Sequence, residues 1–370
     1  MLASCGSTIA GDAVANVTRG EGDFAITEHG SFAKPWAIAV EPGTGNVFIT
    51  EQAGTMKFVQ PANGRLGFVE SGLPKVAHGG QGGLGDFAFA PDYATSRRIY
   101  LSWAQEAEAD TRRAVLGTGK LICEEHDSCR IDGLRVIWQQ PAVSGKGHFG
   151  HKIAFSPDGQ YLFLTSSDRQ KMAPAQDLSN NLGSIVRLLP GGTPAPGNPF
   201  ADVPEYSGDI WSYGHRNILG LQFDVQGKLW GLEHGPKSGD ELNLIRKGTN
   251  YGWPEASDGV HYNNDPIPDH TPSDGFAAPA LQWTPVIAPG DFVIYRGDRW
   301  PQWRGQALIA GLKSKAIVRV SLDADANAAR EEARYSFPER LRDIAEADDG
   351  SLWVIEDSQQ GRLLRLTPAG

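Results

Sequence analysis

Short apolar stretches with the character of β-strands recur along the chain, joined in pairs by turns that contain Asp, Pro or Gly. In one copy, the turn Pro157-Asp158-Gly159 precedes the apolar run at residues 162–165. Because Pro and Gly interrupt strands and favour tight turns, each copy predicts a β-hairpin. The pattern occurs at residues 39–50, 89–102, 155–165, 223–232, 303–311 and 347–355.

Six copies of a hairpin unit predict an all-β fold, a six-bladed β-propeller. The copies are unevenly spaced, so long loops must lie between strands, and we expect these loops to form the functional site on one face. Closure of the ring by a strand near the N-terminus is expected. A β-sandwich with long loops is the alternative fold.

Composition favours one large domain. The 370 residues are 40% hydrophobic and include 45 glycines, which is enough apolar material for a sizeable core. We expect a flexible tether at residues 1–21 and the propeller at residues 22–370. The net charge of −10 argues against nucleic-acid binding, which needs clustered Lys and Arg. No apolar run is long enough to span a bilayer.

The N-terminus contains Leu2-Ala3-Ser4-Cys5, which resembles a bacterial lipobox remnant. This predicts a lipid anchor at Cys5 and a periplasmic or otherwise extracytoplasmic location, although so short a match also arises by chance. Cys123 and Cys129 flank a polar loop, and a disulfide between them is the favoured interpretation. Two unrelated thiols are the alternative, while a zinc site lacks a second close pair of ligands.

Candidate chemistry is concentrated in a few loop segments. His148 is followed after a short strand by Asp168, which is a histidine and carboxylate that could form a base and its orienting partner. Arg216 supplies a guanidinium group that can bind an anion, and Gly235-Pro236 forms a turn that can expose backbone carbonyls. Only an architecture that gathers many loops about one axis brings these segments together, which again favours a propeller.

The longest diagnostic stretch is EHGPKSGDELNLIRKGTNYGWP, at residues 233–254. With the segments above, it resembles the soluble quinoprotein glucose dehydrogenase superfamily, and within it the bacterial aldose sugar dehydrogenases. The resemblance extends from about residue 32 to the C-terminus. It implies oxidation of aldose sugars at C1 to lactones, with pyrroloquinoline quinone and Ca²⁺ as cofactors and an external electron acceptor.

The resemblance also implies a role for each matching residue. His148 would be the general base and Asp168 its partner, while Arg216 would stabilise charge on the quinone. Gln81 would lie beside the sugar. Trp283 resembles an aromatic residue at the substrate mouth, although packing between blades is an equal alternative. The remaining implied ligands are Asn217, Lys313, Arg340 and Arg342 for the quinone, the carbonyls of Gly235 and Pro236 for a catalytic Ca²⁺, and Glu241 with the Tyr251 carbonyl for a structural Ca²⁺.

This chain departs from the family pattern at His151-Lys152 and at Ser167. Neither change removes a proposed catalytic group, and His151 is a competing base that we expect to point away from His148. Two other classes of function remain. One is a propeller binding module without a cofactor. The other is a calcium-dependent hydrolase or lactonase, which would require several inward carboxylates where we expect basic central positions.

Overall fold

The computed structural model describes residues 17–19 and 24–369. Cys5 and most of the predicted tether lie outside these residues. The described chain contains 25 strands, one short α-helix at Tyr93–Ser96, and 3-10 helices at Ala173–Gln176 and Pro301–Trp303. The prediction of an all-β fold is confirmed. None of the helices in this part of the chain has the length and hydrophobicity to cross a membrane.

The strands succeed one another along the chain as short antiparallel runs, most of them with four members. In chain order they are β1 (Val17–Arg19), β2 (Phe24–Phe32); β3 (Pro35–Val40), β4 (Val47–Glu51), β5 (Thr55–Gln60), β6 (Arg65–Ser71); β7 (Leu84–Phe89), β8 (Arg98–Glu106), β9 (Arg112–Ile122), β10 (Ser128–Gln139); β11 (Gly150–Phe155), β12 (Leu162–Ser166), β13 (Ser184–Leu188), β14 (Ile210–Tyr213); β15 (Asn217–Phe223), β16 (Leu229–His234), β17 (Asp240–Ile245), β18 (Leu281–Trp283); β19 (Pro289–Ile294), β20 (Ala307–Gly311), β21 (Ala316–Asp323), β22 (Ala328–Ser336); β23 (Leu341–Glu346), β24 (Leu352–Glu356) and β25 (Gly361–Pro368).

The predicted turns have a shared local structure. Gly159, Gly227 and Gly350 each adopt a positive φ between 69° and 77°, a conformation that costs glycine little. The N–H of each glycine donates to a carbonyl three residues earlier, as in the 2.8 Å bond from Gly159 to Ser156. Glycine therefore closes the turn between the first two strands in these groups, which explains why the motif is readable in the sequence.

Hydrogen bonds join the described strands into five sheets, of which three have four strands, one has five and one has eight. The eight-stranded sheet contains the run β3–β6 and the run β7–β10, which meet through parallel pairing of β6 with β10. The disulfide between Cys123 and Cys129 closes the turn between β9 and β10. The predicted pairing of these cysteines is confirmed.

The first strands of successive runs contact one another in a closed circuit: β3, β7, β11, β15, β19, β23 and again β3. The N-terminal strand β2 pairs with the C-terminal strand β25, from Phe24 opposite Pro368 to Phe32 opposite Gly361. Both ends of the described chain therefore lie in one sheet, and the predicted closure by an N-terminal strand is confirmed.

The closing strand is anchored by an aromatic cluster. The Phe24 ring is buried, and its centre lies between 5.1 and 5.7 Å from the ring centres of Trp300, Trp303 and Tyr335, each in an edge-to-face arrangement. These contacts join β2 to the neighbouring β19–β22 sheet. Edge-to-face pairs add to the free energy gained by burying the rings.

Replacing Phe24 by Ala should lower the free energy of unfolding by about 3–5 kcal/mol, because it leaves a cavity where the N-terminal strand is anchored. Chemical denaturation measures this change. Phe68→Ala is the control, since Phe68 is 44% exposed on β6 and its loss should cost less than about 1 kcal/mol. Equal losses in the two variants would contradict an anchoring role for Phe24.

Candidate active site

The candidate residues lie at matching ends of the strands. Gly150 at the start of β11 pairs with Ser166 at the end of β12, so His148 and Asp168 extend from the same edge. Asn217 at the start of β15 likewise pairs with His234 at the end of β16, with Arg216 and Gly235 beyond them. Antiparallel pairing therefore gathers segments that are distant in sequence.

His148 and Asp168 form a close pair. The Nδ1 atom of His148 lies 2.7 Å from Oδ1 of Asp168, and Asp168 is fully buried. His148 has a left-handed backbone with φ of 49°, and its N–H donates to Oε1 of Gln81 at 2.7 Å. The predicted base, its carboxylate partner and Gln81 are thus brought together. With Nδ1–H donated to Asp168, Nε2 is the nitrogen able to accept a proton.

Burial lowers the pKa of His148 from its ordinary value. Asp168 opposes this change, whereas the positive charges of Arg216 and Arg169 reinforce it. A lowered pKa keeps the imidazole neutral at neutral pH, which is the form a general base requires.

Arg216 is held by backbone carbonyls and by aromatic rings. Its Nη1 atom donates to the carbonyls of His234 at 3.1 Å and Gly235 at 2.7 Å. The guanidinium carbon lies 5.2 Å from the Trp253 ring centre and 5.9 Å from that of Tyr262. The cation is therefore oriented by π-faces and keeps further donors for another acceptor.

A cleft of about 300 Å³ lies beside this cluster. Gln81, Arg340 and Arg342 line it, together with His234 and Asp357. Arg340 Nε and Arg342 Nη2 donate to the two oxygens of Asp357 at 2.8 and 3.1 Å. Burial raises the pKa of Asp357, but the two guanidinium groups outweigh it and hold that pKa below its ordinary value. Asp357 therefore neutralises part of the basic surface formed by Arg340 and Arg342. The sequence analysis did not identify this carboxylate as their partner.

Lys313 and Trp283 lie in different surroundings. Lys313 is exposed on the turn between β20 and β21, next to Leu312 of the cleft. Trp283 lies in the hydrophobic core between neighbouring sheets, and its indole N–H donates to Glu331 at 2.8 Å. This is the packing position that the sequence analysis left open. Tyr262 is the aromatic residue near Arg216 that is mostly exposed, at 72%.

The family profile for Glucose / Sorbosone dehydrogenase matches residues 32–365 of this chain. The chain belongs to the glucose/sorbosone dehydrogenase family. It is 34% identical over 338 residues to aldose sugar dehydrogenase YliI of Escherichia coli, with 90% of each chain covered. It is 27% identical to quinoprotein glucose dehydrogenase B of Acinetobacter calcoaceticus, over 88% of this chain and 83% of that protein.

Solved structures agree with this assignment. The apo form of the soluble aldose sugar dehydrogenase of Escherichia coli superposes with a TM-score of 0.86 at 32% identity, covering 94% of this chain and all of that one. The PQQ-bound aldose sugar dehydrogenase of Streptomyces coelicolor has a TM-score of 0.72 at 27% identity, covering 96% of this chain and 98% of that one. The prediction of this family from the motif at residues 233–254 is confirmed.

In this member of the glucose/sorbosone dehydrogenase family, the residues predicted to bind calcium lie around Arg216. The Gly235 carbonyl accepts from Arg216, and Pro236 follows it in the same turn. Glu241 and Tyr251 line a small cavity together with Glu233. Burial, reinforced by the charge of Glu233, raises the pKa of Glu241 well above its ordinary value. Among the described residues, no group of three His, Cys, Asp or Glu side chains is arranged for a metal.

At the first departure from the family pattern, His151 is buried and Lys152 is half-buried, and Ser167 at the second departure is fully buried. His151 stacks on Phe149 with ring centres 5.5 Å apart, and burial lowers its pKa to about 3. The Nζ atom of Lys152 lies 3.1 Å from Asp86, contacts Asp291 closely and lies 4.0 Å from Asp343. The central positions are therefore mixed and not only basic as expected, because three first strands each contribute an inward carboxylate around this ammonium, while Arg340 and Arg342 line the cleft.

Sequence reasoning missed Trp253, Tyr262, Asp357 and the carboxylates around Lys152. Trp253 lies inside the diagnostic stretch at residues 233–254, so the motif signalled its presence but not its partner. Asp357 follows β24 in a segment with no motif. Its signal was the pair of neighbouring arginines, which requires a neutralising group.

Replacing His151 by Met should reduce the loss of stability on acidification. The unfolded chain binds a proton at His151 near pH 6.5, whereas the folded state does so only near pH 3, so stability falls as the pH decreases between these values. Melting temperatures at pH 7 and pH 5 give the difference. His126→Met, at an exposed position, is the control and should behave as the wild type. An undiminished difference in His151→Met would show that this histidine does not contribute.

Proposed function

We propose that this protein is an oxidoreductase that oxidises aldose sugars at C1 to lactones with pyrroloquinoline quinone as cofactor. The 2.7 Å contact between His148 and a fully buried Asp168, beside a basic cleft, is the observation that carries the proposal. Membership of the glucose/sorbosone dehydrogenase family supports it. The same dyad argues against a cofactor-free binding module, which needs no oriented base.

The oxidation removes a hydride from C1 and a proton from the C1 hydroxyl of the aldose. His148 accepts that proton at Nε2, while Asp168 holds Nδ1–H and stabilises the imidazolium that forms. Gln81 fixes the backbone of the base through its bond to the His148 N–H. Arg216 would direct positive charge at the quinone oxygen that becomes more negative during the reaction.

When bound, pyrroloquinoline quinone supplies the hydride acceptor, and an external acceptor then takes the electrons. The residues here suit a polar anion: within residues 24–369, the donors Arg216 Nε and Arg342 Nε are buried without hydrogen-bond partners, and the acceptor Asn217 Oδ1 could take a donor from the same ligand. Burying such atoms raises the free energy of the folded state unless a ligand or water forms a hydrogen bond with them. Arg340 and Lys313 would add charge for the cofactor's carboxylates.

Calcium fits the donor set in two positions. Carbonyls such as those of Gly235 and Pro236 are hard oxygen ligands, and a carbonyl has two lone pairs, so Gly235 can accept from Arg216 and bind a cation. The second position uses Glu241 and the Tyr251 carbonyl. A cation there would offset the raised pKa of Glu241 that results from burial beside Glu233.

The same proposal includes a count of six blades. The eight-stranded sheet divides into the runs β3–β6 and β7–β10, and the circuit of first strands has six members. The calcium-dependent hydrolase is less well supported. It would need inward carboxylates free to bind the metal, whereas Asp86, Asp291 and Asp343 contact the ammonium of Lys152. An extracytoplasmic location, with or without lipid at Cys5, is supported by the Cys123–Cys129 disulfide.

The direct test is to add pyrroloquinoline quinone and Ca²⁺ to purified apoprotein and to follow reduction of a dye with glucose and a panel of aldoses. We expect reduction only when quinone, calcium and sugar are all present. Quinone binding without sugar-dependent reduction would overturn the substrate assignment. Failure to bind quinone would favour the binding module.

His148→Gln should lower kcat by about 10²–10⁴-fold because it removes the base, while quinone affinity stays close to that of the wild type. Stopped-flow reduction and a quinone titration separate the two effects. His151→Met is the matched control, and its kcat should stay within a few-fold of the wild type. Retention of full turnover in His148→Gln would assign the base to another residue.

We also propose that Tyr262, rather than the buried Trp283, is the aromatic residue that contacts the sugar. Tyr262→Ala should raise KM for the aldose by roughly ten-fold, which corresponds to about 1.4 kcal/mol, without weakening quinone binding. Trp283→Phe should leave KM unchanged and lower the melting temperature, since its ring packs in the core. A raised KM in the Trp283 variant alone would reverse the assignment.

A further inference from the structure

We propose that Trp253 is a positioning residue for the dyad: its indole N–H holds the second oxygen of Asp168, so that the first oxygen faces Nδ1 of His148. The inference rests on the proposed function of the dyad and deepens it. Trp253 Nε1 donates to Asp168 Oδ2 at 2.8 Å, and Trp253 is only 6% exposed.

The hydrogen bonds of Asp168 divide its two oxygens between different tasks. Oδ1 lies 2.7 Å from His148 Nδ1 and accepts from the Gln170 N–H at 2.8 Å, whereas Oδ2 accepts from Trp253. Because the carboxylate is fully buried, a twist of its plane about the Cβ–Cγ bond would separate an oxygen from its donor, and no water could replace that donor. The indole therefore fixes the plane of the carboxylate, with one oxygen held towards His148.

Trp253 is itself fixed from both sides of its backbone. Its N–H donates to the Gly214 carbonyl at 2.9 Å, and its carbonyl accepts from Gln176 Nε2 at 2.7 Å. The Arg216 guanidinium lies over the ring at 5.2 Å. One indole thus contacts the partner of the base through its N–H edge and Arg216 through its face.

The N–H also limits how much of the carboxylate's negative charge is available to His148. The charged and titratable groups that act on His148 are Asp168 and Arg169 after β12, Arg216 before β15, and His234 at the end of β16. Only Asp168 favours the imidazolium. Removing the indole N–H should leave more negative charge on the carboxylate that faces His148. This charge should stabilise the imidazolium form of His148.

The test uses Trp253→Phe, which keeps an aromatic ring over Arg216 and removes the donor. Trp230→Phe is the matched control, because Trp230 is buried and its N–H donates to Asp224 Oδ2 at 2.9 Å in the β15–β18 sheet. The pKa of His148 is measured by NMR of histidine-labelled apoprotein, so this readout does not depend on cofactor or substrate.

We expect the pKa of His148 to rise by at least about half a unit in Trp253→Phe and to stay unchanged in Trp230→Phe. In an Asp168→Asn background, Trp253→Phe should produce no comparable rise, since the indole acts through the carboxylate. An unchanged or lowered pKa in Trp253→Phe, or an equal rise in the Asp168→Asn background, would overturn the inference.

A second substitution tests the same inference if the Phe variant does not fold. Benzothienylalanine at position 253 keeps the bicyclic shape and replaces the N–H by sulfur, and it should reproduce the same rise. In the quinone-loaded enzyme, the acid limb of kcat/KM should move to higher pH with kcat reduced about ten-fold and sugar KM little changed. An inactive wild type would refute the proposed function, while the NMR experiment would still decide the role of Trp253.

Discussion

A carboxylate that is removed from water requires donors at both oxygens, and the arrangement of this site depends on how that requirement is met at Asp168. The donors come from three segments: His148 before β11, Gln170 after β12, and Trp253 after β17. The Asp168 N–H also donates to the Arg216 carbonyl at 2.9 Å. One buried residue thus fixes the proposed base, the loop that follows β12 and the chain that carries the guanidinium.

The framework beneath the site satisfies a similar constraint with charges. Asp86 and Asp343 share Lys152, and each also accepts a backbone N–H from a neighbouring first strand, at Ile153 and Ile38 respectively. Burying these charges is costly unless they are paired, and here each carboxylate contacts both the ammonium and a backbone N–H of a neighbouring strand. The strands that gather the loops are therefore joined by polar contacts as well as by apolar packing.

The features that could be predicted from the sequence are those that a few neighbouring residues encode. Turn glycines such as Gly159 and Gly227 act over three residues, so the hairpins are readable directly. His148 and Asp168 were found because a family motif carries them. The bond between Trp253 and Asp168 spans 85 positions and depends on sheet packing, which no local pattern encodes. The sequence around Trp283 fits a substrate contact and a core residue equally well. Only its neighbours in the folded structure distinguish the two roles.

In the proposed function, Arg216 would contact both the cofactor and a ligand of the metal. Its guanidinium donates to the Gly235 carbonyl, which is also an expected ligand of Ca²⁺, so two positive groups would share one oxygen. Such an arrangement is repulsive unless a negative or strongly polar group lies between them. A quinone oxygen has that character, and Arg216 Nε has no partner among the described residues. If both groups bind as proposed, calcium and quinone should favour each other's binding, because a negative quinone oxygen would relieve the repulsion between the metal and Arg216.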